Sequence, residues 1–124
     1  MEKKKILIVD DDPGILTMLK LMLRLEGYEA VVCGEAMDVL DRISRDKPDL
    51  VFLDAKMPRL DGIEVLNLIK SKDLPKKPPV IVLTGNVDET YTQQAIKAGA
   101  SSVLIKPFTK EDLLERLQTL LGKS

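Results

Sequence analysis

A chain of 124 residues with 19 Lys and Arg against 20 Asp and Glu has the size of one domain, and its balanced charge gives no general pull toward nucleic acid or an anionic membrane. It contains no histidine, which excludes serine or cysteine triads, His-ligated zinc and phosphohistidine chemistry on this chain, and its one cysteine, Cys33, excludes an internal disulfide and fits a reducing compartment. The longest apolar runs fall far short of a membrane span, and residues 1–5 lead into a strand rather than a signal-peptide core, so a cytoplasmic protein is expected.

Ile6-Leu7-Ile8-Val9 reads as a buried strand that runs into Asp10-Asp11-Asp12. Pro13 stands where a helix can begin, and residues 15–26 are helical in composition. At about 100° per residue, Ile15, Leu16, Met18, Leu19, Leu21, Met22, Leu23 and Leu25 cover an arc of roughly 220°, wider than one buried face requires. Gly27 ends that helix, and residues 29–33 form a short second strand entered through Tyr28. Ala36, Val39, Leu40 and Ile43 at helical spacing give a second helix, closed before Pro48. In the third strand, Leu50-Val51-Phe52-Leu53 ends in Asp54, a carboxylate that needs a compensating partner at the end of so apolar a run.

Pro58, Asp61 and Gly62 make a loop, and Ile63, Val65, Leu66 and Ile69 mark a third helix. Residues 72–79, with three prolines, read as a surface connection into Val80-Ile81-Val82-Leu83, which runs into Thr84-Gly85. A fourth helix from about residue 88 to residue 98 is stopped by Gly99. Val103-Leu104-Ile105 then runs into Lys106-Pro107, and residues 109–112 resemble a capping box opening a fifth helix with Leu113, Leu114, Leu117, Leu120 and Leu121 inside. Five strand-then-helix units without a hairpin signal argue for an α/β fold with a doubly wound five-stranded parallel sheet and helices on both faces.

In such a sheet the C-terminal strand ends converge on one edge. Asp10, Asp11 and Asp54 crowded there would repel one another, raising at least one pKa unless a cation binds. Magnesium suits a few carboxylates with open water positions, and it leaves room for a phosphoryl oxygen. Lys106 adds a second positive charge and Thr84 a hydroxyl donor, completing a pocket for a phosphoryl group. Taken singly, each residue has a plainer use: a strand-end aspartate is more often a cap or turn former, Lys106 a solvated lysine, Thr84 a turn residue. Asp12, before Pro13, is assigned to capping. The joint pattern outweighs those readings, because four of five strands end in mutually complementary groups.

Together with Met57-Pro58, Asp61-Gly62, Ala98-Gly99-Ala100 and Lys106-Pro107-Phe108, this set resembles the receiver domain of two-component response regulators over essentially the whole chain. The resemblance implies a (βα)5 flavodoxin-like fold, one receiver unit over residues 1–124 with no effector domain in the chain, and a regulatory domain that promotes only its own phosphorylation and dephosphorylation. It implies that Asp54 accepts phosphate from the phosphohistidine of a sensor histidine kinase or a histidine phosphotransfer protein. Asp11, Asp54 and the Lys56 backbone carbonyl would bind Mg2+ directly, and Asp10 through water. Thr84 and Lys106 would hold the phosphoryl oxygens, and the Lys106-Pro107 peptide would be cis. Gly14, Ile15, Met18 and Pro107 would form the docking surface for the phosphoryl donor; for Ile15 and Met18 the pattern equally allows burial against the fifth helix. No direct nucleic-acid or membrane contact is implied, and the resemblance fits a monomer or a phosphorylation-linked dimer.

Two positions depart from the family pattern or stand out within it. Many members carry tyrosine or phenylalanine at the position of Val103, where the ring swings inward as the threonine closes on phosphate. Valine is stiff and has no ring, so output is expected from backbone movement near Thr84 and from a charge change of about −1.5 to −2. Lys56 either reaches over the aspartyl phosphate or points to solvent. The competing reading is a haloacid dehalogenase-type aspartate phosphatase with Asp10-x-Asp12, which leaves Asp54 an unexplained buried acid. A pseudo-receiver that binds partners without phosphorylation is disfavoured by the intact site.

Overall fold

The computed structural model describes residues 3–57, 60–74, 76–85 and 87–122; Pro58 of the Met57-Pro58 pair and Pro75 of the proline-rich connection lie outside the described residues, as do residues 1–2 and 123–124. Strands β1 (Lys5–Val9), β2 (Glu29–Cys33), β3 (Leu50–Asp54), β4 (Val80–Thr84) and β5 (Ser102–Ile105) alternate with helices α1 (Pro13–Leu25), α2 (Val39–Asp46), α3 (Gly62–Ser71), α4 (Glu89–Ala98) and α5 (Lys110–Leu121). All strand pairs are parallel in the order β2-β1-β3-β4-β5. This is the doubly wound, flavodoxin-like arrangement expected, with the order reversing between β1 and β3.

The unbroken apolar runs follow from burial on both faces. Leu7, Val9, Val51, Leu53, Val80, Val82 and Val103 turn to one side, against Val39, Ile43, Val65, Leu66, Ile69, Ala95 and Ala98 from α2, α3 and α4. Ile6, Ile8, Leu50, Phe52, Ile81, Leu83 and Leu104 turn to the other, against Leu19, Leu23, Leu113 and Leu117 from α1 and α5. Successive residues thus feed opposite layers, and strand-end polar groups are left at the edge where the layers stop.

As expected, α1 begins at Pro13 with Asp12 as its cap: Gly14 N–H donates to Asp12 Oδ1 at 2.8 Å. Other boundaries differ from the sequence expectation for local reasons. The second helix opens as a 3-10 turn, Ala36–Asp38, and closes with Lys47 at φ 48° ahead of Pro48. The connection over residues 72–79 is pinned by the buried Leu74 and Pro78 and is not wholly a surface segment. Gly62 belongs to α3 rather than to a loop. Asp61 and Glu64 form a capping box over it, with Glu64 N–H donating to Asp61 Oδ1 at 2.9 Å. A Cβ at Gly62 would stand 3.0 Å from Ala55 Cα, so glycine lets the start of α3 press against the residue that follows Asp54.

The expected capping box of α5 is present, Asp112 N–H donating to Thr109 Oγ1 at 3.0 Å and Thr109 N–H to the Asp112 carboxylate at 3.2 Å. Arg116, on the same helix, donates to the Val103 carbonyl at 2.7 Å and so ties edge strand β5 to α5.

Candidate functional site

β1 carries its apolar run to Val9 and delivers Asp10 to the sheet edge at 1% exposure. The Asp10 N–H donates to the Cys33 carbonyl at 3.1 Å, and Asp12 N–H donates to Asp10 Oδ1 at 2.9 Å, so backbone contacts hold both the residue and one of its oxygens. Its other oxygen, Oδ2, is buried and has no hydrogen-bond partner among the described residues. β3, between β1 and β4, delivers Asp54 at 8% exposure. The Lys106 ammonium lies 3.2 Å from Asp54 Oδ1 and 3.9 Å from Asp10 Oδ2. Lys106 is brought there by its own backbone N–H, which donates to the Thr84 carbonyl at 2.7 Å as β4 and β5 end side by side. The Thr84 side chain is buried at that edge, and the Lys106-Pro107 peptide is cis.

Asp10, Asp11 and Asp54 each offer a carboxylate oxygen, all within 4.8 Å of one another, with Asp11 exposed. The structure therefore brings together the three expected acids and the expected lysine. Burial, set first against the Asp12 N–H bond, holds the Asp10 carboxyl above its ordinary range; the Asp54 charge adds to the rise, Lys106 opposes it, and Asp11 adds a little more. One lysine among three acids leaves negative charge uncompensated, and the orphaned Oδ2 adds an unused acceptor. An all-oxygen set that opens to solvent at Asp11 fits a hard divalent cation with retained waters.

Asp10→Asn should accordingly stabilise the metal-free protein. A raised folded-state pKa means that the Asp10 contribution favours folding below the ordinary carboxylate range and is lost as pH rises through the raised value, so the charged form weakens the fold at neutral pH. The gain is expected near pH 7 and should vanish at about pH 3.5. Melting curves in EDTA at the two pH values check this; an equal gain at both would remove charge as its cause.

Of the expected docking residues, Gly14, Met18 and Pro107 are exposed, while Ile15 is half-buried and packs with the α1 and α5 core. The wide apolar arc of α1 is explained by Met18, Leu21 and Leu25, which are 48%, 59% and 74% exposed. Val103 is buried in the layer under α4, and the Lys56 side chain is exposed. Tyr91, not singled out from the sequence, packs against that same layer from α4. Other clefts lie away from this edge. One of about 510 Å³ at the opposite edge is lined by charges that pair among themselves, as Lys76 does with Asp49 at 2.6 Å.

Residues 6–118 match the protein family described as the response regulator receiver domain. Over 122 residues the chain is 38% identical to the response regulator MprA of Mycobacterium avium (strain 104), covering 97% of this chain and 52% of that one; it spans about half the length of the curated relatives it matches. The solved structure of the Vibrio cholerae chemotaxis protein CheY4 is similar with a TM-score of 0.88 at 28% identity, covering 96% of this chain and 99% of that one. The receiver domain of the sensor histidine kinase PA1611 from Pseudomonas aeruginosa PAO1 is similar with a TM-score of 0.86 at 28% identity, covering 98% of this chain and 99% of that one. That receiver domain was crystallised with a magnesium ion coordinated in its active site cleft.

Proposed function

Because the chain belongs to the response regulator receiver family, the phosphoacceptor signalling domains of two-component systems, we propose that Asp54 is its phosphoacceptor and that Thr84 and Lys106 hold the phosphoryl oxygens. The observation that carries this is the Lys106 ammonium, 3.2 Å from Asp54 Oδ1 beside an acidic cluster fit for a cation. The Asp54 oxygen not engaged by Lys106 attacks phosphorus in line. The new O–P bond forms as the donor's N–P bond breaks, and that electron pair returns to the donor's imidazole, since this chain has no histidine of its own. Asp11, Asp54 and the Lys56 carbonyl would hold Mg2+, with Asp10 beside them, and the ion would supply positive charge to the phosphoryl oxygens. The chain's own work is positioning and charge neutralisation, that of a regulatory domain rather than a turnover enzyme.

Asp12, part of the Asp10-x-Asp12 pattern on which the dehalogenase-type phosphatase reading rests, is engaged as the cap of α1. Intact mass after incubation with acetyl phosphate tests the receiver reading. One added phosphate is expected with Mg2+ and none in excess EDTA; no addition under any condition would leave a phosphorylation-independent binding module.

The donor is a phosphohistidine on a sensor kinase or phosphotransfer protein, docking on the exposed Gly14, Met18 and Pro107. Ile15 supports that surface from beneath. Met18→Glu is expected to slow phosphotransfer from such a donor about tenfold while sparing phosphorylation by acetyl phosphate. Equal loss with both donors would assign Met18 to the pocket or the fold. No described helix is long and apolar enough to cross a membrane. The reading places the unit in the cytoplasm, as a monomer or a phosphorylation-linked dimer, without direct nucleic-acid contact.

A further inference from the structure

Among the described residues, three buried side-chain oxygens lack a hydrogen-bond partner: Asp10 Oδ2, the Tyr28 hydroxyl and the Tyr91 hydroxyl. The first belongs to the acidic cluster. Tyr28 is sealed in the core with Leu19 and Leu23 of α1. Tyr91 differs from both. It stands in the first turn of α4, just beyond the loop that leaves Thr84, with its ring half-buried. A buried phenol usually finds a partner, and leaving its O–H unmet is costly enough to call for a use.

The packing of α4 makes this ring mechanically important. The helix buries only Ala95 and Ala98, and Tyr91 lies one and two turns before them on the same stripe. Ile96, the other large apolar residue of α4, is 46% exposed. The ring is therefore the largest side chain that α4 packs against the layer containing Ala55, Met57 and Val103. Burial, then the charges of Asp61 and Asp54, hold the phenol above its ordinary range, so at neutral pH it remains an O–H donor facing acids.

We propose that Tyr91 is a positioning residue that couples Asp54 to α4: its spare hydroxyl donates to the phosphoryl group formed on Asp54, and α4 shifts with the ring. The proposal rests on the reading of Asp54 as phosphoacceptor. Phosphorylation replaces a carboxylate by a group of about −1.5 to −2 charge with three acceptor oxygens, which gives an unengaged donor its partner. A helix otherwise held by two alanines yields readily to that pull.

With two tyrosines and no tryptophan, the chain carries its own probe. Tyr28→Phe removes a hydroxyl that has no partner to lose, and it leaves Tyr91 as the sole tyrosine. In that protein, acetyl phosphate with Mg2+ should shift the tyrosine ultraviolet difference spectrum as phosphate is gained. Tyr91→Phe should load phosphate, yet the phosphorylation-induced change in hydrogen exchange over residues 89–98 should shrink about fivefold or more against wild type. An unmoved tyrosine signal overturns the assignment, as does an α4 that responds alike in both proteins or in neither. A Tyr91→Phe protein that fails to load also overturns it, because Tyr91 would then act in the chemistry itself. If wild type takes no phosphate, the Asp54 reading falls and the Tyr91 proposal falls with it.

Discussion

Asp54→Ala is expected to abolish phosphorylation by acetyl phosphate completely while leaving a folded protein. No neighbouring group can take over. Asp10 is 1% exposed, with one oxygen held by the Asp12 N–H and the Lys106 ammonium 3.9 Å from the other. Asp11 is exposed, and among the described residues no ammonium is placed beside it as Lys106 is beside Asp54. The chain has no histidine to serve as an alternative acceptor. The fold should survive because Leu50–Leu53 supply the buried apolar side chains of β3, and Asp54 contributes only its final, charged position. In EDTA the melting temperature should match or exceed wild type, since one of three mutually repelling acids is gone.

The same variant should lose most of the stabilisation expected from Mg2+ in wild type, about 2.7 kcal/mol at a hundredfold excess over the dissociation constant. Intact mass and melting curves with and without Mg2+ check both halves. Phosphate on Asp54→Ala would mean a different acceptor, and an undiminished magnesium effect would mean that the cation is held without Asp54.

How far such a site could be read from the residues depended on how local its causes were. Runs such as Val80-Ile81-Val82-Leu83 declare a strand buried on both faces, and the acid, hydroxyl or ammonium at the end of four of the five runs marks the edge where burial stops. Asp12 before Pro13 and Thr109 before Asp112 declared their caps for the same reason: the partner lies within one turn. Asp61 with Glu64 has that spacing too, yet Pro58, Asp61 and Gly62 together read as a turn. What decides for helix is the close approach of Gly62 to Ala55, a contact set by tertiary packing and invisible in the local pattern.

Helix α1 shows the same limit from the other side. Periodicity gives an arc too wide for one buried face, but it does not say which edge of the arc turns outward. Packing against α5 draws Ile15 in and leaves Met18, Leu21 and Leu25 in solvent. Tyr91 escaped notice because its helical partners, Ala95 and Ala98, are small and make a weak apolar signal. Its importance lies in a missing hydrogen bond, which no sequence pattern reports.

Lys106→Met should separate the two electrostatic tasks of this edge by moving them in opposite directions. Methionine keeps a similar stem but removes the ammonium that lies 3.2 Å from Asp54 and 3.9 Å from Asp10. Phosphorylation by acetyl phosphate at saturating Mg2+ should slow by about 10²–10³-fold, the usual loss when one placed donor to a charged transition state is taken away. Magnesium affinity should instead rise, by about threefold to tenfold, because the cation no longer competes with a resident positive charge for the same carboxylates. Titration calorimetry with Mg2+ and the rate of mass gain measure the two quantities independently. Arginine is not a neutral control here, since its planar fork cannot occupy the place of a point charge between two acids. A Lys106→Met protein that loses magnesium and phosphate together has a collapsed pocket. One that loses phosphate while holding magnesium more tightly shows that Lys106 acts on the transferring group, with Asp10, Asp11 and Asp54 keeping the cation on their own.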